Sequence, residues 1–285
     1  MSMNSNLPLV SVVIPVYNGM PKIRLAISSL FRQTYSNWEA IIIDDGSSDG
    51  TATYLDELAI VDKRIKIHHF PHNLGRPYAR QKALEMANGD FLAMLDADDF
   101  YAPTKLERQV GIMQKYPNVV LVSCGMCSWG KLTAELRIRG CGDNNIHQAT
   151  HRTTVPHASS MLRMKRAKQY SYNKNLKYGQ DQDFLQRYMI GESYFEMDEV
   201  LYYYSEFDSV NRKKIINTHW ICFKNAVQTN QFGTAVVEGV KYVICSLIYP
   251  LLSDERVLLR RGVKPTPKQL AEFNSLFNDL NQYIV

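Results

Sequence analysis

Three carboxylates stand within four residues at Asp96, Asp98 and Asp99, directly after the apolar run 91–95. An apolar run without alternation is typical of a parallel strand that is covered on both faces. Ligands of open α/β sheets bind outside the carboxyl ends of such strands, so we expect these acids to line a cleft. Crowded carboxylates repel each other, and Mg²⁺ or Mn²⁺ takes few protein carboxylates together with substrate phosphates. The run therefore predicts a divalent cation and a ligand that carries a diphosphate.

The same run also fits a solvated turn in which Asp99 caps a helix opened by Pro103, because Asp is common in turns and at helix N-caps. A second acidic strand end helps to decide between the two interpretations. The apolar run 38–43 leads into Asp44 and Asp45. A carboxylate at that edge can accept the imide N–H of a uracil or a ribose hydroxyl. We assign this role to Asp45, and we expect Ser48 or Asp49 to cap the helix that follows at 52–58.

The elements around these acids alternate between strand and helix. Strands are predicted at 9–16, 38–43, 65–70 and 91–95, and the stretches between them carry apolar residues near a helical period, with Gly89 as a C-cap. Four such units predict a parallel, doubly wound sheet. Arg76 and Arg80 lie four residues apart at the start of the third helix. One helix face can aim both guanidinium groups at phosphate, although either one suits a surface ion pair equally well.

Four short motifs, taken together, resemble the family 2 glycosyltransferases of the GT-A fold. The motifs are Val-Ile-Pro-Val-Tyr-Asn at 13–18, Asp-Asp-Gly-Ser-Ser-Asp-Gly-Thr at 44–51, Asn-Leu-Gly at 73–75 with Ala79-Arg80, and Asp-Ala-Asp-Asp at 96–99. Their order and spacing make the resemblance specific. It covers residues 8–205, firmly to about residue 115. It implies an α/β domain over 1–205, with a nucleotide-sugar-binding half at 1–100 and an acceptor half at 101–205, followed by a C-terminal helical extension at 206–285.

The resemblance also implies roles for individual residues. Pro15, Tyr17 and Asp45 are expected to hold the nucleotide base and ribose. Asp98 is expected to be the principal ligand of a Mg²⁺ or Mn²⁺ ion, with Asp96 contacting either the metal or the ribose. Either Arg76 or Arg80 is expected near the diphosphate or the base. Asn73 and Ala97 complete the expected contacts with the nucleotide sugar.

The acceptor half contains two further candidates. His157, within the stretch 154–163, is expected to contact phosphate, metal or acceptor, although a hydrogen-bonded structural histidine fits the sequence equally well. Asp181 occupies the position of the catalytic base that this family carries at the start of a helix. Gln180 stands where the family has Glu, so one negative charge is lost there. Ser205 stands where the family commonly has Arg, and Arg212, Lys213 and Lys214 are the candidate substitutes.

Composition and charge bound the class of protein. The chain has 285 residues, of which 45% are hydrophobic and 21% charged, as in ordinary globular proteins. No secretory signal is recognisable at residues 1–8, so we expect a cytoplasmic protein. Residues 131–177 contain ten basic and two acidic residues, a net charge of +8. This charge suits an anionic acceptor or membrane headgroups, and no nucleic-acid-binding motif accompanies it.

Five cysteines at irregular spacing argue against a disulfide framework. Cys124 and Cys127 have the spacing of a zinc or redox pair, with Cys141 and His147 as further candidate ligands. The pair directly follows the apolar run 119–122, which predicts a further strand, and there is no second pair of this kind, which favours burial in the core.

Residues 234–249 predict a helix with one apolar stripe, while Glu238 and Lys241 lie off it. These two charges argue against a membrane-spanning helix. We expect the stripe to pack on its own domain or on a partner subunit, with interfacial membrane contact as the alternative, because Arg256, Arg260, Arg261 and Lys264 follow. Thr266-Pro267-Lys268-Gln269 predicts a capping box that opens a final helix.

The resemblance predicts an inverting, metal-dependent transfer of a sugar from a nucleoside-diphosphate sugar, most simply UDP-linked. The predicted acceptor is a saccharide, and the basic segment suggests a lipid-linked pyrophosphate saccharide in polysaccharide assembly. Two alternatives remain. A sugar nucleotidyltransferase shares the acidic sheet edge but normally carries a Gly-rich basic loop after the first strand, where this chain has Tyr17-Asn18-Gly19. A non-catalytic nucleotide-sugar-binding scaffold is suggested only by Gln180 and Ser205.

Overall fold

The computed structural model describes residues 7–130, 136–150, 155–176, 179–205, 212–228, 232–251 and 262–282. Within these ranges ten strands form one sheet. The strands are β1 (Val10–Val16), β2 (Trp38–Asp44), β3 (Ile65–His69), β4 (Phe91–Met94), β5 (Phe100–Tyr101), β6 (Val119–Trp129), β7 (Arg137–Arg139), β8 (Asn145–Gln148), β9 (Met161–Arg163) and β10 (Ser193–Ser205).

Nine α-helices are described along the same ranges. They are α1 (Ile23–Phe31), α2 (Thr51–Val61), α3 (Arg76–Met86), α4 (Lys105–Lys115), α5 (Met164–Ala167), α6 (Gln180–Met189), α7 (Arg212–Gln228), α8 (Phe232–Ile248) and α9 (Pro267–Gln282), with a short 3₁₀ turn at Tyr249–Leu251.

The sheet runs in the order β3-β2-β1-β4-β9-β6-β10-β5. The first four strands are mutually parallel, so their carboxyl ends lie along one edge. β9 then pairs antiparallel with both β4 and β6, and β10 runs parallel to β6. The predicted mostly parallel, doubly wound sheet is therefore confirmed, and β9 joins its two halves.

Two apolar clusters explain why the strands carry continuous hydrophobic runs. In β1, Val12 and Ile14 belong to the cluster that packs under α1, α4 and α9. Val13 faces the opposite cluster, under α3 and α6. Helices thus cover both faces, as expected for buried parallel strands. Cys124 and Cys127 lie in β6 and are 0% and 2% exposed, so this pair belongs to the core.

The C-terminal part divides into two kinds of structure. The capping box at α9 is confirmed, since the Gln269 N–H donates to Thr266 Oγ1 at 3.3 Å and the Thr266 N–H donates to Gln269 Oε1 at 2.9 Å. Phe273 and Leu280 of α9 are buried in the same cluster as β1. This helix is therefore an integral layer of the α/β core, although it falls in the predicted extension. α7 and α8 instead pack mainly against each other.

Two predicted helix caps were wrong. Gly89 does not cap α3, which ends at Met86 with Ala87 as its C-cap. A Cβ on Gly89 would lie 2.6 Å from the Leu9 carbonyl oxygen, so glycine is needed there for close approach of two backbones. The N-cap of α2 is Gly50 and not Ser48 or Asp49. Asp49 lies one residue earlier, and its Oδ1 accepts from the Thr51 N–H at 3.1 Å.

Of the two coverings expected for the stripe of α8, its own domain does not provide one, because Val236, Val240 and Leu247 are exposed. Packing on a partner subunit stays a prediction.

Candidate active site

The carboxyl ends of the parallel strands open into a cleft of about 1220 Å³, hereafter the main cleft. α6 faces these strand ends from the opposite half of the sheet and closes the far wall. Of the twelve residues predicted for the site, ten line this cleft: Pro15, Tyr17, Asp45, Asn73, Arg76, Asp96, Ala97, Asp98, Gln180 and Asp181. Arg80 and His157 are buried behind it.

Hydrogen bonds between two loops hold the floor of the cleft. The Asn18 N–H donates to Ser47 Oγ at 2.8 Å, and Asn18 Oδ1 accepts from the Ser48 N–H at 2.9 Å. Asn18 adopts a left-handed backbone with φ 48°, which Asn tolerates better than most residues. The loop after β1 is thus fixed to the loop after β2. Tyr17, 52% exposed, projects between them at the cleft.

Asp45 has a structural role that the sequence did not reveal. Its two carboxylate oxygens accept hydrogen bonds from the Leu74 N–H at 2.7 Å and from the Gly75 N–H at 2.9 Å. These bonds pull the loop before α3 against the end of β2 and so bring Asn73 and Arg76 to the cleft. A carboxylate has further lone pairs, so contact with a base or ribose stays a prediction.

Gly46 permits this close approach of the two loops. Its φ is +75°, and a Cβ there would lie 2.7 Å from the Cα of His72. An L side chain at this position would therefore meet both an unfavourable backbone conformation and a backbone clash. The Asp-Asp-Gly order after β2 is explained by this geometry.

The acidic run after β4 is divided between two environments. Asp96 and Asp98 are half-buried and line the cleft. Asp99 is fully buried, and its carboxylate accepts from Tyr202 Oη at 2.6 Å and from the Ser205 N–H at 2.7 Å. The prediction that Asp99 lines the cleft was wrong, and so was the alternative that it caps a helix. Asp99 instead fastens the end of β10 beneath the site.

Asp98 lies where a cation would relieve unfavourable electrostatics. Burial, followed by repulsion from Asp96, raises the pKa of Asp98, and Lys22 and Arg76 offset only part of this effect. Among the described residues there is no group of three or more His, Cys, Asp or Glu side chains that would hold a metal ion unaided. Two carboxylates completed by diphosphate oxygens fit the ligand set that Mg²⁺ usually takes.

Arg80 is the buried link between the two walls of the cleft. It is 5% exposed, its Nη2 lies 3.2 Å from Asp96 Oδ1, and its Nη1 lies 3.9 Å from Asp181 Oδ2. Burial disfavours its charge, but the carboxylates of Asp96 and Asp181 more than compensate and raise its pKa. The two predicted arginines therefore differ in placement, because Arg76 is exposed and lines the cleft while Arg80 lies beneath it.

Asp181 projects from the first turn of α6, after Gly179 with φ +72°. Burial raises the pKa of Asp181, but the Arg80 guanidinium, followed by His157, lowers it below its ordinary value. The partial positive charge of the helix N-terminus acts in the same direction. Asp181 is thus an ionised carboxylate at the wall of the cleft, suited to accept a proton.

His157 and Gln180 support this wall. His157 is 3% exposed, and its Nε2 lies 2.8 Å from Tyr172 Oη. Burial, followed by the Arg80 charge, lowers the pKa of His157 to about 4, so the ring is neutral near pH 7. This placement favours the hydrogen-bonded structural histidine over direct ligand contact. Gln180 is 4% exposed and lines the cleft next to Asp181.

In the described part of the basic segment 131–177, two of the positive charges are engaged by other parts of the protein. Arg163 donates to the carbonyl oxygens of Val119, Met113 and Tyr116, and Arg166 pairs with Glu192 at 2.9 Å. Lys174 is the basic residue of this segment that lines the cleft, within the described residues.

The cleft residues that the sequence analysis did not single out include Lys22, Lys174, Ile215, His219 and Tyr249. The last three come from α7 and from the turn after α8. No motif marks them, because this region has no counterpart in the resemblance. Lys177, the side chains of Arg212, Lys213 and Lys214, and Thr154 lie outside what the structure describes.

Comparison with known proteins is consistent with this geometry. The family model for glycosyl transferase family 2 matches residues 11–183, more than half of the chain. The chain therefore belongs to glycosyltransferase family 2. Among solved structures, a mannosyltransferase from Pyrobaculum calidifontis, in complex with GDP-Man and Mn²⁺, superposes with a TM-score of 0.63 at 16% identity over 98% of this chain and 84% of that one.

Staphylococcus aureus TarS 1–349 in complex with UDP-GlcNAc gives a TM-score of 0.60 at 17% identity, over 97% of this chain and 81% of that one. These likenesses identify the fold as GT-A.

Sequence relatives match a shorter segment. The putative teichuronic acid biosynthesis glycosyltransferase TuaG of Bacillus subtilis is 42% identical over 108 residues, which cover 38% of this chain and 43% of TuaG. The Escherichia coli enzyme WfgD, a UDP-Glc:alpha-D-GlcNAc-diphosphoundecaprenol beta-1,3-glucosyltransferase, is 43% identical over 107 residues, which cover 38% of this chain and 42% of WfgD. The matched segment thus spans less than half the length of either relative.

Proposed function

We propose that this protein transfers a sugar from a nucleoside-diphosphate sugar to a hydroxyl of a saccharide acceptor, with inversion at the anomeric carbon and with a divalent cation. The observation that carries the proposal is the convergence of Asp96, Asp98 and Asp181 on one cleft, with Arg80 buried between the two walls. One wall suits a nucleotide diphosphate, and the other presents a carboxylate able to act as a base.

The donor fits along the carboxyl ends of β1, β2 and β4. Tyr17, Pro15 and Asp45 hold the base and ribose, and Arg76 with Lys22 supplies positive charge toward the diphosphate. Uridine is the preferred base, because TarS 1–349 was solved with UDP-GlcNAc and WfgD uses UDP-Glc. Asp98 and Asp96 would hold Mg²⁺ or Mn²⁺, which would supply positive charge to offset the charge that develops on the leaving diphosphate.

Asp181 acts as the general base. Arg80 keeps its carboxylate ionised, so it accepts the proton of the acceptor hydroxyl. The freed oxygen then forms a bond to the anomeric carbon while the bond from that carbon to the diphosphate oxygen breaks. The diphosphate leaves with the bonding electron pair, and a single displacement of this kind inverts the anomeric configuration.

The acceptor is a saccharide, and we infer that it is carried on a lipid diphosphate during cell-surface polysaccharide assembly. WfgD acts on a GlcNAc-diphosphoundecaprenol acceptor, and TuaG is named for teichuronic acid biosynthesis. Lys174 offers a cation for a diphosphate at the cleft. The anionic cytoplasmic leaflet is the natural location for an enzyme with this acceptor.

The test measures donor binding and turnover in the same preparation. A thermal-shift screen of nucleotide sugars with and without Mn²⁺ should show the largest stabilisation for a UDP-sugar with Mn²⁺, since ligands of the native state raise its melting temperature. Asp98→Ala should abolish the Mn²⁺-dependent part of that shift. Transfer and slow hydrolysis of the UDP-sugar should depend on Mn²⁺ in the unmodified protein.

A non-catalytic scaffold would bind the nucleotide sugar but would release no UDP in any variant. A nucleotidyltransferase would release pyrophosphate when the same preparation is given a sugar 1-phosphate and UTP in a parallel assay. Either result contradicts the proposal.

A further inference from the structure

α8 turns its apolar side chains outward. Along the 20 residues from Phe232 to Leu251, one face carries large apolar side chains that are 42% to 83% exposed, and we call this face the α8 stripe. The α8 stripe consists of Phe232, Val236, Val237, Val240, Val243, Ile244, Leu247, Ile248 and Leu251. A surface helix of a globular protein normally faces such a stripe to the core. Exposed apolar patches of this size mark interaction surfaces.

The outward orientation is fixed by polar contacts on the other side of the helix. Glu238 has a side chain that is 2% exposed, and its Oε2 lies 2.8 Å from His219 Nδ1 of α7. Its Oε1 accepts from Lys241 Nζ at 3.2 Å. Trp220 and Tyr242 pack against each other with ring centroids 5.1 Å apart. Turning the stripe inward would break these pairs and would expose the aromatic contact.

The charge of the hairpin formed by α7 and α8 favours one kind of partner. Residues 212–251 contain five Lys or Arg and a single acid, Glu238, which is buried. Two copies of this hairpin would each carry a net charge of +4 (five basic residues less one acid), which disfavours a dimer through α8. An anionic lipid surface instead attracts basic residues next to an apolar helix face. The stripe is also aliphatic along its middle, without the Tyr and Arg that anchor protein interfaces.

The hairpin also adjoins the main cleft. Ile215 and His219 of α7, and Tyr249 just beyond α8, line that cleft. A surface that contacts the α8 stripe would therefore lie beside the opening through which an acceptor enters. α8 has 17 residues and, at 1.5 Å per residue, it offers a face about 25 Å long.

We propose that the α8 stripe lies in the plane of an anionic bilayer interface and holds the main cleft beside that surface. Phe232–Leu251 is, by length and composition, the one candidate spanning helix within the described residues. A spanning position would draw buried Glu238 and its partners His219 and Lys241 into hydrocarbon, which is costly. The flat orientation keeps these groups on the protein side. Membrane binding itself does not depend on the function proposed above. Only its biological purpose rests on that function, since a lipid-linked acceptor would be presented at the same surface.

The test compares vesicle binding of the full chain and two double variants. Val240→Glu with Leu247→Glu places two acids in the α8 stripe. The matched control, Ile60→Glu with Val61→Glu, alters two side chains of α2 that are 75% and 83% exposed. Binding is measured by co-sedimentation with vesicles of phosphatidylcholine alone or with added phosphatidylglycerol. Circular dichroism and melting temperature establish that each variant is folded.

We expect the unmodified protein and the α2 variant to bind the anionic vesicles equally, and more weakly at high salt or without phosphatidylglycerol. The α8 variant should bind at least about tenfold more weakly, because two charges then enter the apolar interface. Release of UDP from the donor in solution should be unchanged in both variants. Loss of binding with intact turnover would thus be separable from any failure of the proposed function.

Two results would overturn the proposal. One is equal vesicle binding by the α8 variant and the unmodified protein. The other is a dimer of the unmodified protein in sedimentation equilibrium that the α8 variant dissociates and the α2 variant does not, because the stripe would then be covered by a second copy.

Discussion

The main cleft and the α7–α8 hairpin each bury a charged side chain, but the cleft exposes acidic groups whereas the hairpin exposes apolar ones. At the cleft, Arg80 is buried beneath Asp96 and Asp181, and the acids face the open space. In the hairpin, Glu238 is buried beneath His219 and Lys241, and apolar side chains face outward. Both buried ions are paired, as a buried charge requires. The cleft is thereby built to meet a polar ligand, and the hairpin to meet an apolar one.

The two regions also differ in how tightly their geometry is determined. The cleft is set by strand ends and loops whose geometry is tightly specified, as at Gly46 and Asp45. The geometry of the hairpin depends mainly on the contact between α7 and α8. We therefore expect substitutions in the cleft to change chemistry and substitutions in the hairpin to change stability and location.

The largest effect is expected for Asp181→Asn. The amide keeps the shape but cannot accept the proton, so kcat for transfer should fall by roughly a thousandfold, within the range for loss of a general base. The melting-temperature shift produced by UDP-sugar with Mn²⁺ should persist. Asp183→Asn is the matched control, since Asp183 lies in the same helix turn but pairs with Arg187 at 2.7 Å. A similar loss in both variants would mean that helix disruption, and not the missing base, is responsible.

Arg80→Gln should affect both stability and pH dependence. The loss of stability should be smaller than the roughly 3 to 5 kcal/mol typical of a fully buried ion pair, because the remaining carboxylates of Asp96 and Asp181 are 26% and 37% exposed. Arg80 lowers the pKa of Asp181, so its removal should raise that pKa. Activity needs ionised Asp181, and the acidic limb of the kcat profile should therefore move to higher pH. An unchanged limb in folded protein would contradict the role given to Arg80.

Glu238→Ala tests the hairpin side of the comparison. It should leave His219 and Lys241 without their buried acceptor and destabilise the hairpin by roughly 1 to 3 kcal/mol. Hydrogen exchange should accelerate in α7 and α8, while β1 to β4 stay protected. If exchange in β1 accelerated equally, the two regions would form one cooperative unit and the proposed division would be wrong.

The smallest effect is expected for Thr266→Ala at the capping box of α9. Loss of an N-cap side chain typically costs about 1 kcal/mol, and here it should lower the melting temperature of the whole α/β core, because Phe273 is buried in it. Lys268→Ala, at an exposed position of the same helix, provides the control. If hydrogen exchange accelerated only in α9 and the melting temperature of the core did not change, this helix would not be an integral layer of the core.

Most of the predicted site residues line the same cleft, because short sequence motifs at strand and helix ends were enough to identify them. Asp45, Asp96 and Asp98 each follow a buried strand directly, and parallel strands must bring such positions to one edge. Asp181 was predicted because it occupies the position at the start of a helix where the family carries its catalytic base. The two arginines were named but not distinguished, because burial of Arg80 and exposure of Arg76 depend on how α3 lies on β1 and β2 and so directs Arg80 toward Asp96 and Asp181.

Patterns in the sequence alone determined the first four strands and their parallel order, the capping box of α9 and the acids that follow the strands, because each depends on periodicity or on neighbours a few residues away. Tertiary structure decided which of those acids meet the cleft, since only the position of β10 shows that Asp99 is bound by Tyr202 and Ser205. It likewise decided which way α8 faces. The amphipathic periodicity shows that the helix has one apolar and one polar side. The contact of Glu238 with His219 of α7 determines which side is buried.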